Sequence, residues 1–260
     1  MEFAEPVGYT ALSLFLGIIF YSFQIYCDFS GYSDIAIGLG CLLGFDFGEN
    51  FNRPYFSTSF SEFWNRWHIS LSSWLRDYLY IPLGGNRHGF HNTCRNLFIT
   101  MVLGGLWHGA NSTFIIWGAI HGFYLIFQRI FGEIYGRLIL LLKIPQFLSR
   151  IFLVILVFFL TCISWVFFRA ETIEKALDIF KIIFTSGNWS ISAVSFQFQV
   201  IKGLFLIVLL YTFEGISFKV FLKKIFELKP LLRLFVGAVI IWSIAFLGTF
   251  SGNSFIYSQF

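Results

Sequence analysis

Four ionisable side chains, Asp28, His68, His108 and His121, occur among apolar residues, where an ionised group is costly and by default suggests a site. His108 lies in GGLWHGAN (104–111), with NLFITMVLGGLW leading into it and STFIIWGAIHGFYLIF following. A neutral imidazole held there can act as a general base near neutral pH, since its proton affinity falls in that range without special tuning. The alternative for a histidine in a span is a neutral ring hydrogen-bonded to a neighbouring helix. His108 departs from that alternative in its setting: it follows Trp107, precedes Gly109 and lies near Gly104 and Gly105, small residues that let a helix or a substrate approach the backbone. His121 stands in a regular apolar helix pattern and reads as packing. Asp28 reads either as a hydrogen-bonded cap for a helix break at Gly31 or as a carboxylate facing a cavity. His88 and His91 fall in the polar loop GGNRHGFHNTCRN, without the further ligands a metal would need. Two histidines in one cavity, His68 and His108, can divide the work of deprotonating a hydroxyl and orienting a thioester. No serine-hydrolase elbow or phosphate-binding loop competes with that reading.

The elements that must position these groups belong to a membrane. Hydrophobic residues make up 57% of the 260-residue chain and charged residues 12%, half the charged share of an ordinary soluble domain. Apolar stretches near the 20 or so residues that cross a bilayer recur at Thr10 to Tyr26, Phe147 to Phe168, Val200 to Phe218 and Leu231 to Phe250. Asn96 to Leu106 and Asn111 to Ile130 add a region interrupted by glycines and Asn111. The first of these stretches follows Glu2 and Glu5 with no basic residue and no small-residue cleavage site, so it reads as a retained span. The net charge of +4 sits in loops flanking spans and forms no nucleic-acid stripe. Arg129, Arg137, Lys143 and Arg150 mark one connection, and Lys219, Lys223, Lys224 and Lys229 another. The positive-inside rule puts both on the cytoplasmic side, with the connection after Arg169 and the C-terminus outward. Cys27, Cys41, Cys94 and Cys162 have no paired spacing, so neither a disulfide framework nor a metal site is expected.

Residues 28–60 are interrupted by Gly, Asp and Pro, and the Asp34–Phe45 portion has the length of a re-entrant or interfacial piece. Irregular backbone at membrane depth survives only where protein or a water-filled cavity covers it. Ser59 and Glu62 then fit a capping box, opening an amphipathic helix. Its expected single face carries Trp64, Trp67, His68, Leu71, Leu75 and Tyr78, and Pro82 with Gly84-Gly85 ends it. A second amphipathic helix is expected over Ile173 to Phe184. No internal repeat appears, and no second copy of the 28–45 pattern, which tells against a transporter of the inverted-repeat kind. The expected fold is all-α, a single polytopic transmembrane bundle over 1–260 with re-entrant and amphipathic interfacial helices.

Three motifs carry a family resemblance: YCDFSGYSDIAIGLG, then ENFNRPYFSTSFSEFWNRWHISLSSWLRDYLYIPLGGNR, then GLWHGA. They resemble the membrane-bound O-acyltransferase family, in its bacterial branch of alginate O-acetyltransferases and teichoic-acid D-alanyl transferases. The terminal GNSFIYSQF resembles the end of the alginate type. The resemblance implies a ring of tilted helices around a central tunnel, and a chain corresponding to the C-terminal half of a longer family member whose N-terminal spans are absent here. It implies an acyl thioester donor on the cytoplasmic side, acetyl-CoA or an acyl carrier, as substrate and no bound cofactor. The acceptor is an extracytoplasmic polysaccharide such as alginate, reached directly or through an extracytoplasmic acetyltransferase partner. The setting is the bacterial inner membrane, with lipid around a multi-pass chain. The essential histidine of the family falls on His108 and its second recurrent histidine on His68. Trp64, Trp67, Trp74 and Trp107 are expected to help wall the site, and Arg66, Arg76 and Asp77 to hold its cytoplasmic mouth or the helix in place. Asp28 is kept as a cavity carboxylate that would suit a D-alanyl ammonium. D-alanyl transfer to teichoic acid, or a non-catalytic membrane module, are the alternatives.

Overall fold

The computed structural model describes residues 8–185, 187–189, 197–215, 224–225 and 227–247, and these contain helices and no strand. They divide into two units, at residues 195 and 196. In the first, α1 spans Ala11–Leu42, α2 Phe60–Trp64, α3 Ile69–Leu75, α4 Gly89–His108, α5 Ser112–Leu141, α6 Gln146–Arg169 and α7 Ile173–Thr185. In the second, α8 spans Gln197–Gly215 and α9 Pro230–Leu247. Three helices, α1, α5 and α6, are long and apolar enough to cross a membrane, and α8 and α9 contribute shorter apolar stretches. The chain is therefore an all-α membrane protein. Lys219, Lys223, the 190–196 segment, Glu2, Glu5 and the GNSFIYSQF ending lie outside the described residues.

Helix α1 corrects the expectation of a break. It begins at Thr10, whose hydroxyl accepts from the Ser13 amide at 3.2 Å, and continues through Gly31 and Gly38 to Leu42. A glycine inside a helix costs only about 1 kcal/mol against alanine, and a hydrogen-bonded ladder already nucleated absorbs that. Nothing stands within 4 Å of where either glycine would carry a side chain, so neither marks a close contact. There is thus no re-entrant piece at Asp34–Phe45, and Asp28 is mid-helix and does not cap a break at Gly31. The first half of α1 is buried at Ala11, Leu14, Ile18, Ser22 and Ile25, where it packs on α6 and α7; its second half presents Ile35, Leu39 and Leu42 outward.

The expected single amphipathic helix is divided. Helix α2 starts at Ser59, whose hydroxyl accepts from the Glu62 amide at 3.1 Å, but the reciprocal half of the capping box is displaced. Glu62 accepts from the Thr58 amide at 2.7 Å and the Thr58 hydroxyl at 2.8 Å, and pairs with Arg66 at 2.6 Å. Burial lifts the Glu62 carboxyl, but those bonds outweigh it and hold the group below the ordinary carboxylate value. Gln128 of α5 takes the next orphan amides, accepting from Phe60 at 2.7 Å and Ser61 at 3.1 Å. The helix then stops, and His68 adopts φ +43, a left-handed conformation, before α3 begins. After α3 the backbone opens into a π-turn over Arg76–Tyr80. Asn96, fully buried, ties down the following loop by donating to the Leu83 and Gly85 carbonyls at 3.1 and 3.0 Å.

Helices α4 and α5 make the closest pairing. A side-chain carbon on Gly105 would run into the Phe114 carbonyl, and one on Gly118 into the Met101 carbonyl. On Gly122 it would stand 3.0 Å from the Phe98 ring and 3.2 Å from its Cα. Glycines here let backbone meet backbone, the way helices associate in lipid, where no hydrophobic effect drives them together. Helix α6 returns antiparallel to α5 after a turn at 142–145. Tyr124 donates to the Leu160 carbonyl at 3.0 Å, and His121 bonds Ser164 at 2.9 Å.

Candidate active site

His108 is the last residue of α4, and its position follows from how that helix stops. Gly109 has no room for a side chain, since one would stand 2.8 Å from the Phe114 ring. Asn111 then opens α5, accepting from the Thr113 amide at 3.2 Å and donating to the Glu171 carbonyl at 2.8 Å, which fastens the corner to the end of α6. The imidazole left at this corner is 8% exposed. Aromatic edges and faces enclose it: Trp117 of α5 at 5.2 Å and 89°, Phe168 of α6 at 5.1 Å and 80°, and Trp107 at 5.0 Å and 81° between ring centres and planes. Three helices thus supply one apolar box around one basic nitrogen heterocycle.

His68 lies one ring away. Its centre is 6.1 Å from that of Trp107, the same indole that borders His108. Phe29 of α1 meets His68 edge-on at 4.7 Å, and Phe51 flanks it at 6.5 Å. Polar groups hold the other side of the ring: Nδ1 is 3.3 Å from Asn50 Oδ1 and 3.2 Å from Ser70 Oγ. The two histidines expected to work together are therefore brought together, across Trp107.

The remaining expected residues separate into layers. Trp64 touches Trp117 at 5.8 Å, and Trp67, 2% exposed, packs on Trp165 at 5.0 Å, so both stand behind the box and support it. Trp107 borders both imidazoles and is itself 58% exposed. Trp74 does not wall the box; it is half exposed, leans on Tyr78 at 5.6 Å and lines an outer groove with Phe47, Glu49, Ser70 and Asp77. The expectation that it walls the site, made with the other tryptophans, is not met: α3 carries it on the side away from the His108 box. Arg76 and Asp77 form an exposed ion pair at 2.7 Å, which raises the one and lowers the other in proton affinity. Arg76 also lines a cleft of about 250 Å³ with Trp64, Asn65, Ser72, Thr100 and Met101, between α2–α3 and α4–α5. Neither that cleft nor the outer groove includes His68 or His108 among its lining residues. Asp28, partly buried in α1, precedes the Phe29 that meets His68.

Sequence reasoning missed Trp117, Phe168 and Asn50. The two aromatics occupy apolar helices in which nothing singles out one ring from its neighbours. Asn50 lies inside the quoted run ENFNRPYF, but a lone asparagine among turn residues carries no chemical signal of its own.

A profile of the membrane-bound O-acyltransferase family matches residues 1–168. The chain is 53% identical over 180 residues to a probable alginate O-acetylase, AlgI, of Pseudomonas aeruginosa, covering 69% of this chain and 33% of that protein. It is 40% identical over 179 residues to a peptidoglycan O-acetyltransferase of Helicobacter pylori, again 69% of this chain and 33% of the other. A teichoic acid D-alanyltransferase of Bacillus subtilis is 37% identical over 110 residues, 39% of this chain and 27% of that one. The chain spans about a third of the length of these relatives.

Proposed function

The chain belongs to the membrane-bound O-acyltransferase family, and we propose that it carries the reaction centre of an enzyme that moves a short acyl group, acetyl, onto hydroxyls of an extracytoplasmic polysaccharide. The observation that carries this reading is the box around His108: an imidazole at a helix end, enclosed by rings of α4, α5 and α6, with His68 one indole away. Such a ring is kept neutral by its apolar surroundings and offers a lone pair to an acceptor hydroxyl. The lone pair takes the hydroxyl proton as the oxygen attacks the thioester carbonyl; the carbonyl re-forms, the carbon–sulfur bond breaks, and the imidazolium returns the proton to the departing thiolate. The atoms balance with an acyl thioester and an alcohol in, an ester and a thiol out. Support for acetyl comes from the names of the two relatives matched over most of this chain, an alginate O-acetylase and a peptidoglycan O-acetyltransferase. The donor enters as acetyl-CoA or an acyl carrier from the cytoplasmic side of a bacterial inner membrane, and an extracytoplasmic transferase or the polysaccharide itself receives the group.

A His108→Ala variant tests the assignment by the acetyl content of the cell-surface polymer. Acetyl content falling to the level of cells lacking the gene is expected, with the variant inserted at wild-type abundance; unchanged acetylation would refute it. D-alanyl transfer is the second reading, favoured by the teichoic acid D-alanyltransferase match and by Asp28, a partly buried carboxylate of α1 next in sequence to the Phe29 that meets His68. Labelled acetate and labelled D-alanine, fed to cells with and without the gene, separate the two. Gene-dependent incorporation of acetyl alone is expected, and of D-alanine alone would replace the first reading with the second.

A further inference from the structure

We propose that Asn50 is a positioning residue that fixes the tautomer of His68, keeping the proton on Nδ1 and the lone pair on Nε2. The inference rests on the reading above, in which His68 works beside His108. It starts from an amide whose orientation is determined by its partners. Asn50 Nδ2 donates to the buried Ser33 hydroxyl of α1 at 3.0 Å, which turns Oδ1 toward the start of α3. There Oδ1 accepts from the Ser70 amide at 3.2 Å and from the Ser70 hydroxyl at 2.9 Å. The Ser70 proton is thereby committed to Asn50, so the hydroxyl oxygen has only lone pairs to offer His68 Nδ1, 3.2 Å away. Asn50 Oδ1, 3.3 Å from the same Nδ1, likewise only accepts. Two acceptors face one ring nitrogen, so that nitrogen carries the hydrogen. In a neutral imidazole the other nitrogen then holds the lone pair, since the bond made at one nitrogen decides the state of the other.

The backbone bears out the same purpose. Asn50 also accepts through its own carbonyl from the Ile69 amide at 2.9 Å, and Asn52 donates to the Arg66 carbonyl at 2.9 Å, so residues 50–52 bracket His68 on both sides. Between these clamps His68 holds φ +43, a conformation that side-chain-bearing residues rarely adopt and that surrounding contacts must enforce. Asn50 therefore sets both where the ring stands and which nitrogen is basic. Phe29 and Phe51 press on the ring from the side and carry no polar atom that would compete for Nδ1.

Nitrogen-15 NMR of histidine-labelled chain in lipid nanodiscs, at a pH where imidazole is neutral, reads the tautomer without any acyl transfer. Comparison with His68→Gln identifies the signal. The expected wild-type spectrum shows His68 protonated at Nδ1 alone; protonation at Nε2 would overturn the proposal outright. Asn50→Leu should convert the signal to a mixture of tautomers, whereas Asn50→Asp, which keeps the acceptor oxygen, should retain the wild-type pattern. In the acyl-transfer assay Asn50→Leu should lower kcat about tenfold or more, the scale by which outer partners count where they orient a metal-bound histidine, with KM for the thioester unchanged and Asn50→Asp closer to wild type. An Asn50→Leu protein that keeps the Nδ1-protonated signal, or keeps kcat, also overturns it. Should the wild-type chain transfer no acyl group while its spectrum obeys Asn50 as expected, the functional reading fails and the tautomer assignment stands.

Discussion

The dipeptide His-Gly occurs twice in the apolar middle of the chain, at His108-Gly109 and at His121-Gly122, and the structure uses it in two different ways. His121 lies mid-helix in α5, fully buried, stacked on Phe63 at 6.0 Å and bonded to Ser164 of α6. Ser164 gives its own proton to the Thr161 carbonyl at 2.7 Å, so it must receive one from His121 Nε2. That imidazole is a rivet between two helices, and Gly122 beside it makes room for Phe98. His108 stands where its helix ends, against the rims of three aromatic rings and next to the half-exposed Trp107. A histidine in the body of a packed helix is bonded across to its neighbour, whereas the one at the helix end is boxed by rings of three helices beside an indole that is itself exposed.

The largest test of that contrast pairs two substitutions. His108→Ala should reduce acyl transfer per folded molecule by about 100-fold or more, the scale of losing a general base, beside the stability cost of emptying its aromatic box. His121→Ala should cost about 2–4 kcal/mol through a buried cavity and an orphaned hydroxyl, while the surviving folded fraction keeps most of its turnover. Equal loss of turnover in the two, at equal folded abundance, would break the distinction.

Next in size is Gly118→Ala. Its new methyl meets the Met101 carbonyl on the facing helix, so a well-packed interface must open, at about 1–3 kcal/mol. A melting temperature unchanged from wild type would show that the α4–α5 spacing does not depend on backbone contact. The smallest expected effect sharpens the role of His121: Ser164→Ala removes the acceptor of its Nε2 proton and leaves that donor buried, costing about 1–3 kcal/mol with turnover intact. A cost to turnover instead of stability would draw His121 into the reaction.

Much of this contrast was legible in the residues, and the places where it was not share a cause. The termini of α6, the amphipathic α7 and the corner at Gly109–Asn111 follow from apolar runs and cap chemistry that act within a few residues. His108 was legible because a WHG triplet amid apolar sequence is unusual in itself. The continuity of α1 through Gly31 was not, since glycine weakens a helix without obliging it to end. The left-handed turn at His68 depends on Asn50, 18 residues distant, and no local propensity can announce it. Residue type groups Trp74 with the other tryptophans but does not say toward which side of α3 a ring points. Trp117 and Phe168 owe their roles to where three helices cross, a fact that belongs to none of their sequences alone.

The glycine contacts between α4 and α5 have a consequence for how far this protein can vary. Because main chain rests on main chain at Gly105 and Gly118, the separation of the two helices is gauged by atoms common to every amino acid. Exposed side chains such as Leu103 and Phe127 stand away from those main-chain contacts, whereas Phe123 of α5, though exposed, rests on Phe98 of α4 at 5.0 Å. Leu103 and Phe127 can therefore be exchanged for other apolar residues while the imidazole at the end of α4 keeps its register against α5, and Phe123 cannot be changed as freely. Leu103 and Phe127 are also where labels or tethers can be attached with the box around His108 left in place.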